Sequence, residues 1–281
     1  MRILVLGARG MLGTDLVARI RLLHTVIAHT HADWDIADET ACRKGIASSN
    51  ADVVINCAAF TRVDDCEQNR EKAFLVNGEA VRFISEACSV HGARLIQMST
   101  DYVFNGRKNS PYRENDIPDP ISVYGRSKLK GEEYASGIPD SLIVRTSWVF
   151  GKNGTNFVST IRKLAGEKDT LRIVDDQAGS PTFTIDLASA ISDLIEKKTS
   201  GIVHVTNSGV CTWYEFAKEI VRISGYSNVG LVPIKTSELD RPAPRPPYSV
   251  LDNARYAEIT GDFLRPWQGA LKDYLKGPEQ C

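Results

Sequence analysis

The sequence lacks any apolar run near the ~20 residues a membrane helix requires, so no transmembrane segment is expected. It lacks a charge surplus. The 34 Lys and Arg residues nearly balance 35 Asp and Glu, for a net charge of -1, which argues against a nucleic-acid binder held by bulk charge. It lacks a disulfide or zinc pattern: the six cysteines (Cys42, Cys57, Cys66, Cys88, Cys211 and Cys281) include no C-x-x-C pair, and no histidine cluster accompanies them. Reduced thiols in a cytoplasmic protein are expected, with Cys57 a small core residue and Cys281 exposed. It lacks internal repeats and low-complexity tails. A signal peptide is not expected either. The apolar run Ile3–Leu6 is short and is broken by the glycines from Gly7 to Gly13, so it reads as a buried strand.

What is present is an alternation of strands and helices. Hydrophobic residues make up 42% of the 281, enough for a sizeable core. Strand-like runs fall at 2–6, 25–29, 52–58, 94–99 and 141–146, with helical stretches at 11–23, 40–48, 70–91 and 123–136 between them. This order predicts right-handed crossovers and a parallel sheet covered on both faces. The expected fold class is α/β, a Rossmann-like doubly wound parallel sheet with a smaller α/β substrate-binding domain. Residues 1–150 would form the dinucleotide-binding domain, with 169–205 partly returning to it. Residues 151–168 and 206–281 would form the second domain. Helices are expected over 156–165, 183–197 and 212–224, the last opened by a capping box of Thr212 and Glu215, with strands over 171–174 and 202–205. The proline cluster 241–247 reads as a structural loop rather than a peptide ligand.

Two motifs carry chemistry. Gly7-Ala8-Arg9-Gly10-Met11-Leu12-Gly13 follows a strand and opens a helix, where glycines let the backbone approach a pyrophosphate at the helix N-terminus. The spacing is G-x-x-G-x-x-G rather than G-x-G-x-x-G. An acid at the end of the second strand would hold a ribose 2′-hydroxyl, but that place holds His29-Thr30-His31. Arg9 is placed to pair with a 2′-phosphate or to be a solvated loop charge. The balance favours NADPH, with NADH also usable. Asp35 and Ile36 are candidates to border the adenine, although Asp35 also suits a helix start.

The second motif is Tyr124-Gly-Arg-Ser-Lys128. A Tyr and a Lys four residues apart share a helix face. An ammonium beside a phenol pulls a pKa that starts near ~10 towards neutrality. Tyr124 is therefore a candidate general acid or base for a carbonyl/alcohol interconversion. On spacing alone, a solvated helix face is the commoner explanation of such a pair.

Together with Asn56-Cys-Ala-Ala59 and Ser99-Thr100-Asp101, these motifs resemble the extended short-chain dehydrogenase/reductase family. Ser99–Phe104, Arg145–Phe150, Asp176–Thr182 and Ser249–Asp252 narrow the resemblance to its dTDP-4-dehydrorhamnose reductase branch, over nearly the whole chain. The resemblance implies NAD(P)H-dependent reduction of the 4-keto group of dTDP-4-dehydro-6-deoxy-L-mannose to dTDP-L-rhamnose. It implies Tyr124 as proton donor, Lys128 holding the nicotinamide ribose, and Thr100 orienting the carbonyl. By the same resemblance Met11, Leu12 and Gly13 contact the cofactor phosphates and Ala58, Ala59 and Thr61 line its path, beside the Gly7, Arg9 and Gly10 of the turn, while Val63, Thr100, Asp101 and Trp148 face the substrate. Trp148 also suits a plain core position. Arg245 is a further candidate for the nucleotide diphosphate or a surface charge.

Some relatives hold Mg²⁺ between subunits through glutamates, one just after the glycine turn. Here that position is Asp15, and one carboxylate does not make a site for a hard cation, so no metal is expected. Monomer and homodimer stay open. A dehydratase would carry an Asp-Glu pair after the Thr, whereas Tyr102 follows Asp101. An epimerase would consume no external reductant. A non-catalytic partner of the methionine adenosyltransferase regulatory type would not need the Thr100, Tyr124 and Lys128 set.

Overall fold

A computed structural model describes residues 1–226 and 228–276; Cys281 lies outside them. Strands β1 (Arg2–Leu6), β2 (Thr25–His29), β3 (Val53–Asn56), β4 (Arg94–Thr100) and β5 (Leu142–Thr146) alternate with helices. These helices are α1 (Met11–Ile20), α2 (Glu39–Ser49), α3 (Val63–Gln68), α4 (Arg70–Phe74), α5 (Ala80–His91) and α6 (Val123–Ser136). Next come β6 (Val149–Phe150), α7 (Phe157–Glu167), β7 (Thr170–Val174), β8 (Ala178–Gly179), β9 (Thr182–Phe183), α8 (Thr184–Glu196) and β10 (Gly201–His204). The chain closes with β11 (Cys211–Thr212), α9 (Trp213–Ile223), β12 (Gly230–Ile234), α10 (Ala254–Thr260) and α11 (Trp267–Lys276).

Six strands form one parallel sheet in the order β10-β5-β4-β3-β1-β2. The period of two in β1 divides its side chains between two cores. Ile3 and Val5 pack with α1 and α8, whereas Leu4 and Leu6 pack with α2 and α5. This is the doubly wound α/β sheet. The strand order reverses between β1 and β3, which opens a crevice at their carboxyl ends.

Segment 184–204 belongs to the main sheet, with α8 covering α1 and β10 forming an edge. Strand β7 instead pairs with β12 in a separate two-stranded parallel ribbon. That ribbon, α7, α9 and α11 share a third core, around Phe150, Phe183, Phe216 and Trp267. Strand β12 escaped the sequence reading. Pro233 lies within it, which its edge position allows. The capping box of Thr212 and Glu215 forms on α9.

The long helix expected over 70–91 is broken. A π-helical turn, Leu75–Glu79, separates α4 from α5. Asn77 explains it. Its side chain accepts from Phe60 N–H (2.8 Å) and donates to Phe60 C=O (3.0 Å) and Ser127 Oγ (3.0 Å). Gly131 on α6 lets the helices meet, since a Cβ there would lie 2.3 Å from Asn77 O. The wider turn thus ties the loop after β3 to α6.

Candidate active site

The glycine turn lies at the crevice. Leu6 pairs with His29 on one side and Asn56 on the other, so Gly7 emerges between β2 and β3. Gly7 has φ +74°, and a Cβ there would lie 2.7 Å from Ala58 N. Gly10 N–H donates to Gly7 O at 2.9 Å, and a Cβ on Gly13 would lie 2.2 Å from the same oxygen. Helix α1 starts at Met11 with no side-chain cap at Gly10 and no acid in its first turn. The N–H groups of Met11, Leu12 and Gly13 form an uncapped, electropositive cradle beside Ala58, which suits a pyrophosphate.

Ala58 and Ala59 are half-buried along the continuation of β3, and Thr61 is exposed. Val63 opens α3 and is also half-buried. On the far side of β2, Asp35 accepts from Ala37 N–H at 2.9 Å, and Asp38 caps α2. The Ile36 side chain is buried in the core with Cys42 and Ile46.

Thr100, Asp101, Tyr124 and Lys128 come together where β4 ends and α6 begins. Thr100 Oγ1 donates to Asp101 Oδ1 at 3.0 Å and accepts from Tyr102 N–H at 3.2 Å. Asp101 is buried, and among the described residues its Oδ2 has no hydrogen-bond partner. Burial pushes its pKa up to about 6, against the pull of the Ser249 and Thr100 hydroxyls. A buried carboxylate oxygen left unpaired fits a ligand hydroxyl.

Ser122 caps α6 by accepting from Gly125 N–H at 3.1 Å, which fixes the helix two residues ahead of Tyr124. The Tyr124 ring meets Tyr102 edge to face at 5.5 Å. Here the electrostatics differ from the sequence expectation. Burial raises the Tyr124 pKa above its ordinary value, and the Thr100 hydroxyl offsets only part of the rise. Lys128 donates to Met98 O at 2.7 Å, and its charge does not outweigh the burial of the phenol. Burial lowers Lys128 to about 8, against the attraction of Glu132 and then of Cys57. A Tyr/Lys spacing fixes a shared helix face; it does not fix how deeply each group is desolvated.

Beneath Lys128 lies a network that sequence reading missed. Glu132, one turn further along α6, accepts from Arg145 Nε at 2.9 Å and Nη2 at 2.6 Å, and from Ser99 Oγ. Both charges are almost fully buried, at 2% and 4% side-chain exposure. The i,i+4 spacing from Lys128 was the available signal for Glu132, whereas Arg145 becomes its partner only through strand pairing. A second cluster ties α3 to the proline loop: Asp64 accepts from Arg245 at 2.9 Å and from Arg241 at 3.1 Å. Arg245 is therefore ion-paired and mostly buried, beside Tyr102.

Trp148 leaves β5 with φ +46°, an uncommon conformation for a bulky residue, and stacks on Trp213 at 3.5 Å. A Cβ on Gly179 would lie 2.4 Å from its ring. Strain at such a position accompanies functional sites, and here it holds an aromatic wall between the main sheet and the third core. Asp15 bonds Thr184 Oγ1 and, at 3.2 Å, Asn153 Nδ2. Among the described residues no three His, Cys, Asp or Glu side chains converge as metal ligands, and no helix is long and apolar enough to cross a membrane.

Comparison with known proteins adds context. A family model described as RmlD substrate binding domain matches residues 1–279. The spore coat polysaccharide biosynthesis protein SpsK of Bacillus subtilis is 44% identical over 98% of this chain and 97% of its own length. A dTDP-4-dehydrorhamnose reductase of Streptomyces griseus is 41% identical, covering 97% of this chain and 92% of its own. A crystal structure of dTDP-4-dehydrorhamnose reductase from Bacillus anthracis in complex with NADP superposes with a TM-score of 0.94 at 34% identity, covering 98% of each chain.

Proposed function

This chain belongs to the RmlD substrate-binding-domain family, and on that premise we propose that it is an NADPH-dependent reductase of a 4-keto sugar nucleotide. The specific reaction proposed is reduction of dTDP-4-dehydro-6-deoxy-L-mannose to dTDP-L-rhamnose, with NADH also accepted. The observation that carries this reading is the convergence of Thr100, Tyr124 and Lys128 beside the unpaired Asp101 oxygen, at the end of the sheet that also holds the glycine cradle.

The residues fit the cofactor. Met11, Leu12 and Gly13 N–H groups take the pyrophosphate, with Gly7 and Gly10 keeping the backbone close. Ala58, Ala59 and Thr61 line its path, and Arg9, Asp35 and Ile36 lie towards the adenosine end. When bound, the reduced nicotinamide supplies the hydride received by C4 of the sugar. On substrate binding the Thr100 hydroxyl turns its one proton from Asp101 Oδ1 to the carbonyl oxygen and joins the Tyr124 phenol there, where negative charge grows during transfer. With its pKa shifted up rather than towards neutrality, Tyr124 is protonated at neutral pH as an ordinary phenol is, the state a proton donor to a nascent alkoxide must have. Lys128, anchored on Met98 O, holds the ribose and supplies positive charge as the phenolate forms. Asp101, Trp148 and Val63 bound the sugar side, and Arg245 is ion-paired to Asp64 on α3, next to Val63. The setting proposed is cytoplasmic, as a monomer or homodimer.

The test is loss of NADPH absorbance with the 4-keto sugar generated in place by an upstream dehydratase and epimerase, with NMR of the product. Sugar-dependent oxidation yielding dTDP-L-rhamnose supports the assignment; its absence discards it. Tyr124→Phe should bind NADPH normally and lose on the order of 100-fold or more in turnover. Wild-type turnover in that variant removes Tyr124 as the donor.

A further inference from the structure

We propose that Glu132 is a positioning residue for the reaction: clamped by Arg145 and Ser99, it keeps the Lys128 side chain seated and in its charged form. This rests on the reductase reading above, and it gives a task to the buried ion pair beneath the site.

The geometry is that of a clamp. Lys128 and Glu132 lie one turn apart on α6 and bond to consecutive residues of β4, Lys128 Nζ to Met98 O at 2.7 Å and Glu132 to the Ser99 hydroxyl. Ser99 and Arg145 are register partners, so hydroxyl and guanidinium approach the carboxylate from adjacent strands. Arg145 donates to both carboxylate oxygens, and all three side chains are buried. Its Nη1 faces His204 Nε2 at 3.4 Å, and His204 is held neutral by burial, so it adds no charge. Met98 O also accepts from Gln97 Nε2 at 2.7 Å. A neutral acceptor shared by two donors offsets little of the cost of taking an ammonium out of water; an anion one turn away offsets more.

A purely structural purpose accounts poorly for this pair. Buried ion pairs contribute little net stability, and apolar residues of similar size can replace them. The other groups around α6 do not substitute for Glu132. Cys57, past the end of β3, attracts Lys128 less than Glu132 does, and burial pushes its thiol up to about 12, so it is neutral at physiological pH. Asp101, Tyr102 and Cys66 act on Tyr124. Glu67 on α3 accepts from Val123 N–H at 2.7 Å, and Lys72 on α4 lies over the Phe60 ring. Glu79 on the π turn accepts from Arg82 and Tyr134, and Glu86 on α5 pairs with Arg43 and Arg82. Lys130 and Glu133, on α6 itself, pair with each other. Among the described residues Glu132 is thus the one anion that attracts Lys128 at neutral pH.

The experiment reads Lys128 directly. The unliganded full chain, with isotope-labelled lysine side chains, is titrated by NMR, the Lys128 resonance being assigned by its loss in Lys128→Met. The pH profile of kcat/KM is taken beside it. The variants are Glu132→Gln and the double variant Glu132→Met with Arg145→Met, which removes both charges and leaves neither partner unpaired. Without the carboxylate, burial lowers Lys128 further, so the ammonium loses its proton at lower pH. The midpoint should fall from about 8 by about one pH unit in both variants. The alkaline limb of kcat/KM should move down with it and lie about tenfold below wild type. A pair that serves stability alone predicts a wild-type midpoint and limb in the folded double variant, and that result overturns the inference. Should Glu132→Gln fail to fold, the double variant decides. A shifted midpoint with no sugar reduction by the wild type sinks the proposed function and leaves the hold of Glu132 on the Lys128 charge standing.

Discussion

Lys128→Met should make the unliganded protein more stable while removing most of its turnover. Lys128 is 4% exposed, and burial lowers its pKa from 10.5 to about 8. At about 1.4 kcal/mol for each pH unit, that depression corresponds to roughly 3 kcal/mol of cost to the folded state wherever the amine is charged in both states. Methionine is similarly long and unbranched and carries no charge into the site. It forfeits the bond to Met98 O, a loss of about 1 kcal/mol. Glu132 keeps Arg145 and Ser99.

A net gain of roughly 2 kcal/mol at neutral pH follows from these two effects. Its pH dependence has a definite sign. Between pH about 8 and 10.5 the unfolded chain binds more protons at Lys128 than the folded one, so wild-type stability rises with pH. The advantage of Lys128→Met should therefore be largest below about 8 and fade as pH approaches 10.5. The measurement is the urea midpoint of both proteins across that range, with slopes compared to exclude a change in the unfolded state. A variant destabilised at neutral pH, or a gain that does not change with pH, refutes the reasoning.

Gly13→Ala should lower stability by about 1–3 kcal/mol and weaken cofactor binding together, because the new Cβ meets backbone rather than a movable side chain. Thermal unfolding and a cofactor titration check this, and wild-type values in both contradict it. His204 is held neutral, with burial and then Arg145 pushing its pKa down to about 3. Between pH 6.5 and about 3 the unfolded chain binds the extra proton, so stability falls as the solution is acidified. His204→Asn should flatten that acid limb by up to about 1.4 kcal/mol per pH unit, and an unchanged limb in urea midpoints counts against the buried neutral ring.

Much of this molecule was readable from neighbours in the chain. The alternation of apolar runs with 3.6-period segments implied a parallel α/β sheet, and strand, glycine turn and helix follow one another within residues 2–20. The Thr212/Glu215 capping box and the Tyr124/Lys128 spacing are likewise local, because three or four residues along a helix determine who shares a face. What the chain order did not contain is which distant groups meet and how far each leaves water. The Glu132–Arg145 pair depends on β5 lying beside β4, and the π turn on Asn77 reaching Phe60 and Ser127. The bend after β2 depends on Trp34 packing on His29 and finding a gap at Gly45.

The same division explains the proton chemistry. Sequence placed an ammonium near a phenol and suggested a lowered phenol pKa, whereas the packed site raises Tyr124 and lowers Lys128. Residue identity and spacing determined which groups stand at this site. Burial by elements far away in sequence decided their charge, because desolvation depends on everything packed around an ionisable group and only weakly on its neighbours along the chain.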